Sequence, residues 1–212
     1  MENRILVVLP HPDDEAFGLS GTLAKHIDQG ARVTYICLTL GQMGRNLGNP
    51  PFANRETLPE VRRLELEQSC RIIGIQDLRM FGLHDKTIEF EDHDLLVQRL
   101  RSVIDEIHPS VIYTFYPGFA VHPDHDATGA VVIRTVQEMP ADRRPEVRCL
   151  AFSRGCEEVL GKPHILNDVG EYMKQKVGSI RAHRSQFLFN MDNEAEVKRV
   201  FGTERFWIYT FV

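Results

Sequence analysis

The sequence predicts an α/β fold built on a doubly wound, mainly parallel sheet with helices on both faces. The first observation behind this is an alternation of short aliphatic strands and amphipathic helices that begins almost at residue 1. Strands separated by helices pair in parallel through right-handed crossovers. The second observation is size, because 212 residues, 42% of them hydrophobic and 26% charged, suit one soluble globular domain spanning residues 1–212.

The first strand is the unbroken aliphatic run of residues 5–9, which is typical of a strand buried on both faces. A helix is predicted over 15–29, because apolar residues recur at helical spacing until Gly30, a good C-cap residue. Residues 31–39 are rich in β-branched side chains and predict the second strand. Residues 40–55 contain glycines and prolines without periodicity, and a loop of that length is usually functional.

The rest of the chain continues the same alternation. Further helices are predicted over residues 57–74, 94–108, 124–139 and 170–187, and further strands over 78–83, 111–116, 147–153 and 206–212. Thr57 and Glu60 have the spacing of a capping box, so the second helix is expected to begin there. In the usual strand order 3-2-1-4-5, the carboxyl ends of strands 1 and 4 flank the point where the winding reverses, and ligands bind there.

The charge balance and the cysteines narrow the function classes. A formal net charge of −5 gives no general attraction to nucleic acid or anionic lipid, so neither is expected as a partner. No apolar run approaches the roughly 18 residues of a membrane helix, and the N-terminus lacks a signal-peptide pattern, so a cytoplasmic protein is expected. Cys37, Cys70, Cys149 and Cys156 are widely spaced and predict reduced thiols.

Two polar motifs follow strands that this topology makes neighbours. PHPDDE, residues 10–15, comes directly after the first strand, and HPDHD, residues 122–126, comes shortly after the fourth. An acidic cluster at a helix start most often complements the helix dipole when it stands alone. Because a second motif reaches the same crevice, a functional site is favoured over that interpretation.

The residue types in the two motifs suit a catalytic zinc site. Such a site uses three His or carboxylate ligands and keeps one position open for water. His11 and Asp14 lie three residues apart at a strand-to-helix turn, so both can reach one ion, and His125 is the predicted third ligand. Asp13 then stays unligated and is predicted to act as general base toward metal-bound water. Fe²⁺ stays an alternative to Zn²⁺, because two histidines and a carboxylate suit it too.

Two further residues of the second motif are candidate catalytic groups. His122 is placed to hydrogen-bond an oxyanion or to protonate a leaving amine. Asp124 is predicted to orient His122 as a supporting carboxylate. Whether Asp13 or His122 supplies the proton to the amine stays open, because one carboxylate can serve both steps. For Glu15, at the start of the predicted helix, a structural and a functional role are equally compatible with the sequence.

The segments PHPDDE and HPDH, together with AHRSQ at residues 182–186, resemble the three landmarks of the PIG-L/LmbE family of metal-dependent N-deacetylases. The resemblance implies a Rossmann-like fold, a zinc ion and hydrolysis of an N-acetyl group from a glucosamine-type sugar. It assigns the metal ligands, the base and the group that helps the tetrahedral intermediate to the same residues as the chemistry above. For AHRSQ a structural role, in holding the C-terminal helix, is favoured.

Within that family, the short chain is most similar to bacterial enzymes that deacetylate N-acetylglucosaminyl-malate on the way to bacillithiol. Such a substrate carries carboxylates, and Arg45, Arg55, Arg62 and Arg63 are available to bind them. The resemblance implies that Arg62 contacts substrate. The alternative, without a functional role, is a solvated arginine paired with acids one turn away. Some relatives have an arginine where this chain has Val121. The small bacterial relatives also imply a homo-oligomer.

Other functions were compatible with parts of this pattern. An amidase acting on a thiol conjugate or on another N-acyl sugar fits the same motifs. A dinucleotide-dependent enzyme is disfavoured, because the first βα turn lacks G-x-G-x-x-G and places carboxylates where a pyrophosphate would bind. A non-catalytic, metal-dependent signalling module would explain an acidic pair after the first strand but leaves HPDH without a role.

Overall fold

The computed structural model describes residues 3–187 and 194–211. In chain order its strands are β1 Arg4–Leu9, β2 Arg32–Thr39, β3 Asp77–Leu83, β4 Val111–Phe115, β5 Glu146–Leu150, β6 Ile165–Asp168 and β7 Thr203–Ile208. The helices are α1 Asp14–Gly18, α2 Ser20–Asp28, α3 Leu58–Ile73, α4 His93–Ile107, α5 Pro123–Gln137, α6 Cys156–Leu160, α7 Met173–Ala182 and α8 Glu194–Phe201. In the part of the chain described, the strands form one sheet in the order β3-β2-β1-β4-β5-β7-β6.

Strands β1 to β5 pair in parallel, as the alternation predicts. β1 lies between β2 and β4, and β3 and β5 continue the sheet on either side. The doubly wound α/β class and the order 3-2-1-4-5 are therefore confirmed. β7 pairs antiparallel with β5, and β6 pairs antiparallel with β7, so the sheet becomes mixed toward one edge.

Helices cover both faces of β1, which is why its sequence is an unbroken aliphatic run. Ile5, Val7 and Leu9 pack in the core that includes residues of α2 and α3, and Leu6 and Val8 pack in the core that includes residues of α4 and α5. Each of these side chains is at most 1% exposed and contributes about 1.5–3 kcal/mol through burial. All four cysteines are free thiols, in agreement with the sequence-based prediction.

The helix predicted over residues 15–29 is not continuous, because the helical conformation is interrupted between α1 and α2. The Gly21 and Thr22 N–H groups at the start of α2 donate to the carboxylate of Glu204, at 3.1 and 2.6 Å. Lys176 donates to the same carboxylate at 2.6 Å, and both of these charged side chains are almost completely buried. A partner from β7 thus supplies the cap of α2, and no local pattern reveals it.

The capping box predicted at Thr57 and Glu60 is wrong, although α3 begins at the next residue. The Thr57 hydroxyl accepts a hydrogen bond from the Asn54 N–H at 2.9 Å and makes no cap. The Asn54 side chain accepts from the backbone N–H groups of Glu56 and Thr57, which forms a tight polar turn before the helix. Glu60 pairs instead with Arg63 on the helix surface.

The C-terminal part departs most from the prediction. The helix expected over 170–187 is shortened to α7, with a 3-10 turn over Gly170–Tyr172 before it. The strand expected over 206–212 is β7, which ends at Ile208, and residue 212 lies outside the described residues. α6, β6 and α8 were not predicted, and the four residues of β6 are too few to show a period. No helix among the described residues is long and apolar enough to cross a bilayer.

Candidate active site

The two motifs meet at the carboxyl ends of β1 and β4, where the topology places them. His11 leaves β1 in a turn, and His122 and His125 stand at the beginning of α5. His122 caps that helix, because its Nδ1 accepts from the Asp124 N–H at 3.1 Å, and Pro123 occupies the first turn, where its missing N–H costs nothing. His11 and His125 are 114 residues apart in sequence, and their nearest ring nitrogens are 3.2 Å apart.

Potential ligand atoms of three side chains converge at this edge of the sheet. His11 Nδ1 lies 3.2 Å from His125 Nε2 and 3.5 Å from Asp14 Oδ2. His125 Nε2 lies 3.2 Å from Asp14 Oδ1. Two ligands that each lie about 2.0–2.1 Å from a tetrahedral zinc ion are about 3.3–3.4 Å from each other. The spacing of the three side chains therefore fits one small cation.

Hydrogen bonds behind the two rings orient the converging nitrogens toward Asp14 and toward each other. His11 Nε2 lies 3.0 Å from Asp124 Oδ2 and 3.2 Å from Asp85 Oδ1, so this nitrogen carries the proton. His125 Nδ1 donates to a backbone carbonyl at 3.0 Å, and the ring stacks on Phe115 with centroids 4.0 Å apart. Such bonds fix the tautomer and the orientation of metal-binding histidines.

Two other groups of the described residues have donor atoms close enough to hold a metal. They are His11 with His122 and His125, and His11 with Asp85 and Asp124. In the second group, three backbone N–H groups already donate to the two carboxylates, at 2.7–3.2 Å. A possible metal-binding group is thus present around His11. The carboxylates on the Nε2 side of the ring are held by backbone N–H groups and orient His11.

The electrostatics of the cluster favour a positive charge at its centre. Although burial opposes this, the neighbouring His125 and His11 hold the pKa of Asp14 well below its usual range. Burial likewise disfavours a charged His11, yet hydrogen bonds to Asp124, Asp14 and Asp85 raise its pKa well above the ordinary value. Because a metal ion and a proton compete for such a histidine, metal affinity is expected to fall as the pH falls.

Asp13 lies beside the three converging groups with a strained backbone. Its φ of 107° is in the left-handed region, which is uncommon for a residue other than glycine. The Asp13 carboxylate accepts from Arg62 Nη2 at 2.8 Å. Burial raises the pKa of Asp13 to about 6, against the opposing effect of Arg62. A carboxyl group that titrates near neutrality is suited to accept and return a proton.

Glu15 holds the strained backbone of Asp13 in place. Its fully buried carboxylate accepts from the Asp13 N–H at 3.0 Å and from the Ser69 hydroxyl at 2.6 Å. His183 Nε2, from the AHRSQ segment, lies 2.7 Å from the same carboxylate. Burial disfavours the charged imidazole, but Glu15 raises the pKa of His183. Glu15 therefore acts on the site by fixing the position of Asp13.

The AHRSQ segment is tied to helices α1 and α3 by buried carboxylates. Besides the contact of His183 with Glu15, the Ser185 N–H and hydroxyl both donate to Glu65 of α3 at 2.7 Å. Gln186 donates to the Asn46 carbonyl at 2.9 Å and lines the cleft. These contacts are those of a structural role, with Gln186 at the edge of the site.

The Asp124 carboxylate hydrogen-bonds His11 rather than His122, which corrects the prediction made from sequence. It also accepts from two backbone N–H groups and is fully buried. His122 Nδ1 is an acceptor in its bond with the Asp124 N–H, so its proton is on Nε2. Burial, together with His11 and His125, lowers the pKa of His122. A neutral His122 can therefore present an N–H donor to the cleft.

The four arginines that the sequence makes available for carboxylates have different surroundings. Arg62 is only 3% exposed, and its guanidinium contacts Asp13 and two backbone carbonyls. The alternative of a solvated Arg62 is therefore wrong, and its contact with a substrate stays a prediction. Arg63 pairs with acids of α3, and Arg55 donates to a carbonyl of its own loop at 2.6 Å. Arg45 is exposed and lines the cleft.

Two cleft residues after β3 were missed from sequence. Asp85 is 4% exposed, accepts from the Met43 N–H at 2.7 Å and contacts His11. Lys86 follows with a φ of 68°. No motif surrounds them, and the available signal was their place at the carboxyl end of a parallel strand. Val121, directly before the second motif, is 69% exposed with a φ of 57°.

A cleft of about 280 Å³ connects these groups. It is lined by His11, Asp13, Asp14, Met43, Gly44, Arg45, Arg62, Asp85, Lys86, His122, His125 and Gln186. A larger cavity of about 940 Å³ lies between α3, α7 and α8 and contains none of the candidate catalytic residues. Chemistry therefore identifies the smaller cleft as the site.

Comparisons with known proteins identify the family. The family profile described as PIG-L: GlcNAc-PI de-N-acetylase matches residues 6–136. Two proteins named "Probable N-acetyl-alpha-D-glucosaminyl L-malate deacetylase 2" are 46% identical over 217 residues. For the Bacillus cereus protein the match covers 99% of each chain, and for the Bacillus subtilis protein it covers 99% of this chain and 98% of the relative.

A solved structure shares the fold. N,N'-diacetylchitobiose deacetylase from Pyrococcus horikoshii superposes with a TM-score of 0.77 at 24% sequence identity. The match covers 98% of this chain and 84% of that one. At this identity the likeness concerns the fold, and the chemistry has to be argued from the site.

Proposed function

The chain belongs to the PIG-L family, and from that premise we propose that it is a zinc-dependent hydrolase that removes the N-acetyl group of N-acetyl-α-D-glucosaminyl L-malate, in bacillithiol biosynthesis. The observation that carries the proposal is the convergence of His11 Nδ1, His125 Nε2 and the Asp14 carboxylate beside the carboxylate of Asp13. The names of the full-length relatives support the choice of substrate.

His11, Asp14 and His125 are the residues that would hold the ion. The donor set of two imidazoles and one carboxylate suits zinc at an open catalytic site. When bound there, the ion would polarise the amide carbonyl and acidify a water molecule. Asp124 and Asp85 keep the proton of His11 on Nε2 and so present Nδ1 to the centre.

Asp13 is the proposed general base. Arg62 holds Oδ2 of this carboxylate at 2.8 Å, so the other oxygen is available to a water molecule in the cleft. Asp13 takes a proton from that water as the water attacks the acetyl carbon. Because burial raises its pKa to about 6, Asp13 can also return the proton to the leaving amine.

His122 is the proposed donor to the developing oxyanion. Its Nδ1 is occupied by the backbone of α5, so Nε2–H is the group it can offer. Because burial lowers its pKa, the ring is neutral near pH 7 and stabilises charge by hydrogen bonding. We therefore assign proton return to Asp13 and charge stabilisation to His122.

The test measures free amine released by metal-stripped protein, with and without added Zn²⁺. The substrates are N-acetyl-α-D-glucosaminyl L-malate and N-acetylglucosamine. The expected result is zinc-dependent release that favours the malate conjugate. Asp13→Asn should bind zinc as wild type does while losing at least about 100-fold in turnover, and Asp94→Asn on the surface of α4 serves as control.

Two outcomes would contradict the proposal. Release from neither substrate by the zinc-loaded protein would remove the deacetylase assignment. Near-normal turnover of Asp13→Asn with metal bound would remove the base assignment and leave the metal ligands in place.

A further inference from the structure

Two cations at the mouth of the cleft have no partner that explains them. Arg45 lies in the loop after β2 and Lys86 in the loop after β3, and both line the cleft with exposed side chains. Among residues 3–187 and 194–211, neither forms an ion pair, whereas Arg62 and Arg63 each do. Their charge is therefore available to a ligand.

The acidic groups deeper in the cleft already have polar partners beside them. Asp13 is paired with Arg62 at 2.8 Å. Asp14 lies 3.2 Å from His125 Nε2, and Asp85 lies 3.2 Å from a nitrogen of His11. The inner cleft thus needs no further cation from the protein, and Arg45 and Lys86 are not required to balance it.

The inference rests on the proposed function: we propose that Arg45 and Lys86 bind the two carboxylates of the malate aglycone and set the preference for that conjugate. Malate linked through its hydroxyl keeps two carboxylates. The rim of the cleft, by which we mean Arg45 and Lys86, offers two cations. Because both loops follow β2 and β3, the aglycone lies on that side of the metal centre. His122 closes the opposite side, after β4.

Electrostatics explain why such a rim is needed. Cations at the entrance of a cleft attract a dianionic substrate and orient its charged end. Arginine can bind a carboxylate in a bidentate manner, and lysine acts as a point charge. Val121 supplies no cation from the β4 side, and among the described residues that line the cleft Arg45 and Lys86 are the exposed cations.

The test compares kcat/KM for N-acetyl-α-D-glucosaminyl L-malate with kcat/KM for the neutral methyl N-acetyl-α-D-glucosaminide. The ratio is measured for the zinc-loaded wild type, Arg45→Gln, Lys86→Gln and the double variant. We expect the ratio to fall about 10-fold in each single variant and further in the double variant. Arg45→Lys should retain most of the preference. Arg63→Gln, which alters a cation already paired on α3, should keep the wild-type ratio.

Using a ratio separates the possible failures. A variant that loses activity on both substrates equally, through misfolding or a displaced loop, leaves the ratio unchanged and overturns the inference. A wild-type enzyme that hydrolyses both conjugates without preferring the malate form also overturns it, while leaving the deacetylase activity intact. Hydrolysis of neither substrate by the wild type overturns the proposed function, and the rim assignment with it. A preference that weakens at high ionic strength supports the rim.

Discussion

A single ring nitrogen decides what His11 can do. Asp124 and Asp85 accept the hydrogen bond of Nε2–H, so Nδ1 faces Asp14 and His125 and is the nitrogen that can bind an ion. Turned around, the same ring would present a proton to the site and repel a cation. The carboxylates behind His11 thus affect metal affinity without contacting the substrate.

Replacing Asp124 with Asn tests this placement. The amide cannot stabilise the His11 tautomer with a negative charge, so zinc affinity is expected to fall about 10–100-fold. Affinity is measured by competition with a chromophoric chelator. Asp105→Asn, on the exposed surface of α4, is the control.

The opposite pattern would favour the expectation from sequence. If Asp124→Asn bound zinc normally and lost only turnover, the carboxylate would act on His122 rather than through His11. The two readouts, affinity and turnover of the loaded enzyme, therefore separate the two roles.

The loop after β2 and helix α3 form one unit around Arg62. The Arg62 guanidinium donates to the Gly41 carbonyl at 2.8 Å and to Asp13 at 2.8 Å. Gly41 has a φ of 61°, and a Cβ at this position would collide with Arg62. The glycine is therefore required both by the backbone and by the close approach of the guanidinium.

Gly41→Ala is expected to have two effects. The left-handed backbone costs about 1–2 kcal/mol with an alanine, and the displaced Arg62 leaves Asp13, so turnover falls about 10-fold or more. Thermal unfolding and deacetylation report the two effects. Gly30→Ala is the matched control, because Gly30 has a φ of 87° with no atom near its Cβ position. It should lose stability and keep its activity. Full turnover of Gly41→Ala would show that the Arg62 contact is dispensable.

Secondary structure near the site could be predicted because it depends on local pattern. The aliphatic run of β1 and the motif after it are contiguous in sequence, and parallel topology brings HPDH to the same edge. The break between α1 and α2 could not be predicted, because Glu204, which supplies its cap, is 183 residues from Gly21. Asp85 has no neighbouring motif, and only the folded loop brings it to His11.

At the scale of the whole molecule, the prediction succeeds where elements alternate regularly and fails where strands return antiparallel. β7 enters the sheet beside β5 by pairing Cys149 with Trp207. Its position depends on long-range packing and on the buried pair of Lys176 and Glu204. Hydrophobic patterning indicates which face of an element is buried. It does not indicate which distant charged residue pairs with a buried charged residue.

The acid stability of the folded molecule should depend on His26. Its Nε2 lies 3.0 Å from the Tyr113 hydroxyl, and burial, with Arg148 and Lys25 nearby, lowers its pKa to about 4. The unfolded chain protonates a histidine near pH 6.5, so between these values the unfolded state binds the extra proton. The stabilisation is therefore complete above about pH 6.5 and is lost as the pH falls toward 4. In thermal unfolding from pH 7.5 to 4.5, the Tm of His26→Gln should fall less with falling pH over that interval than the Tm of the wild type. Parallel curves for the variant and the wild type would show that His26 does not govern this loss.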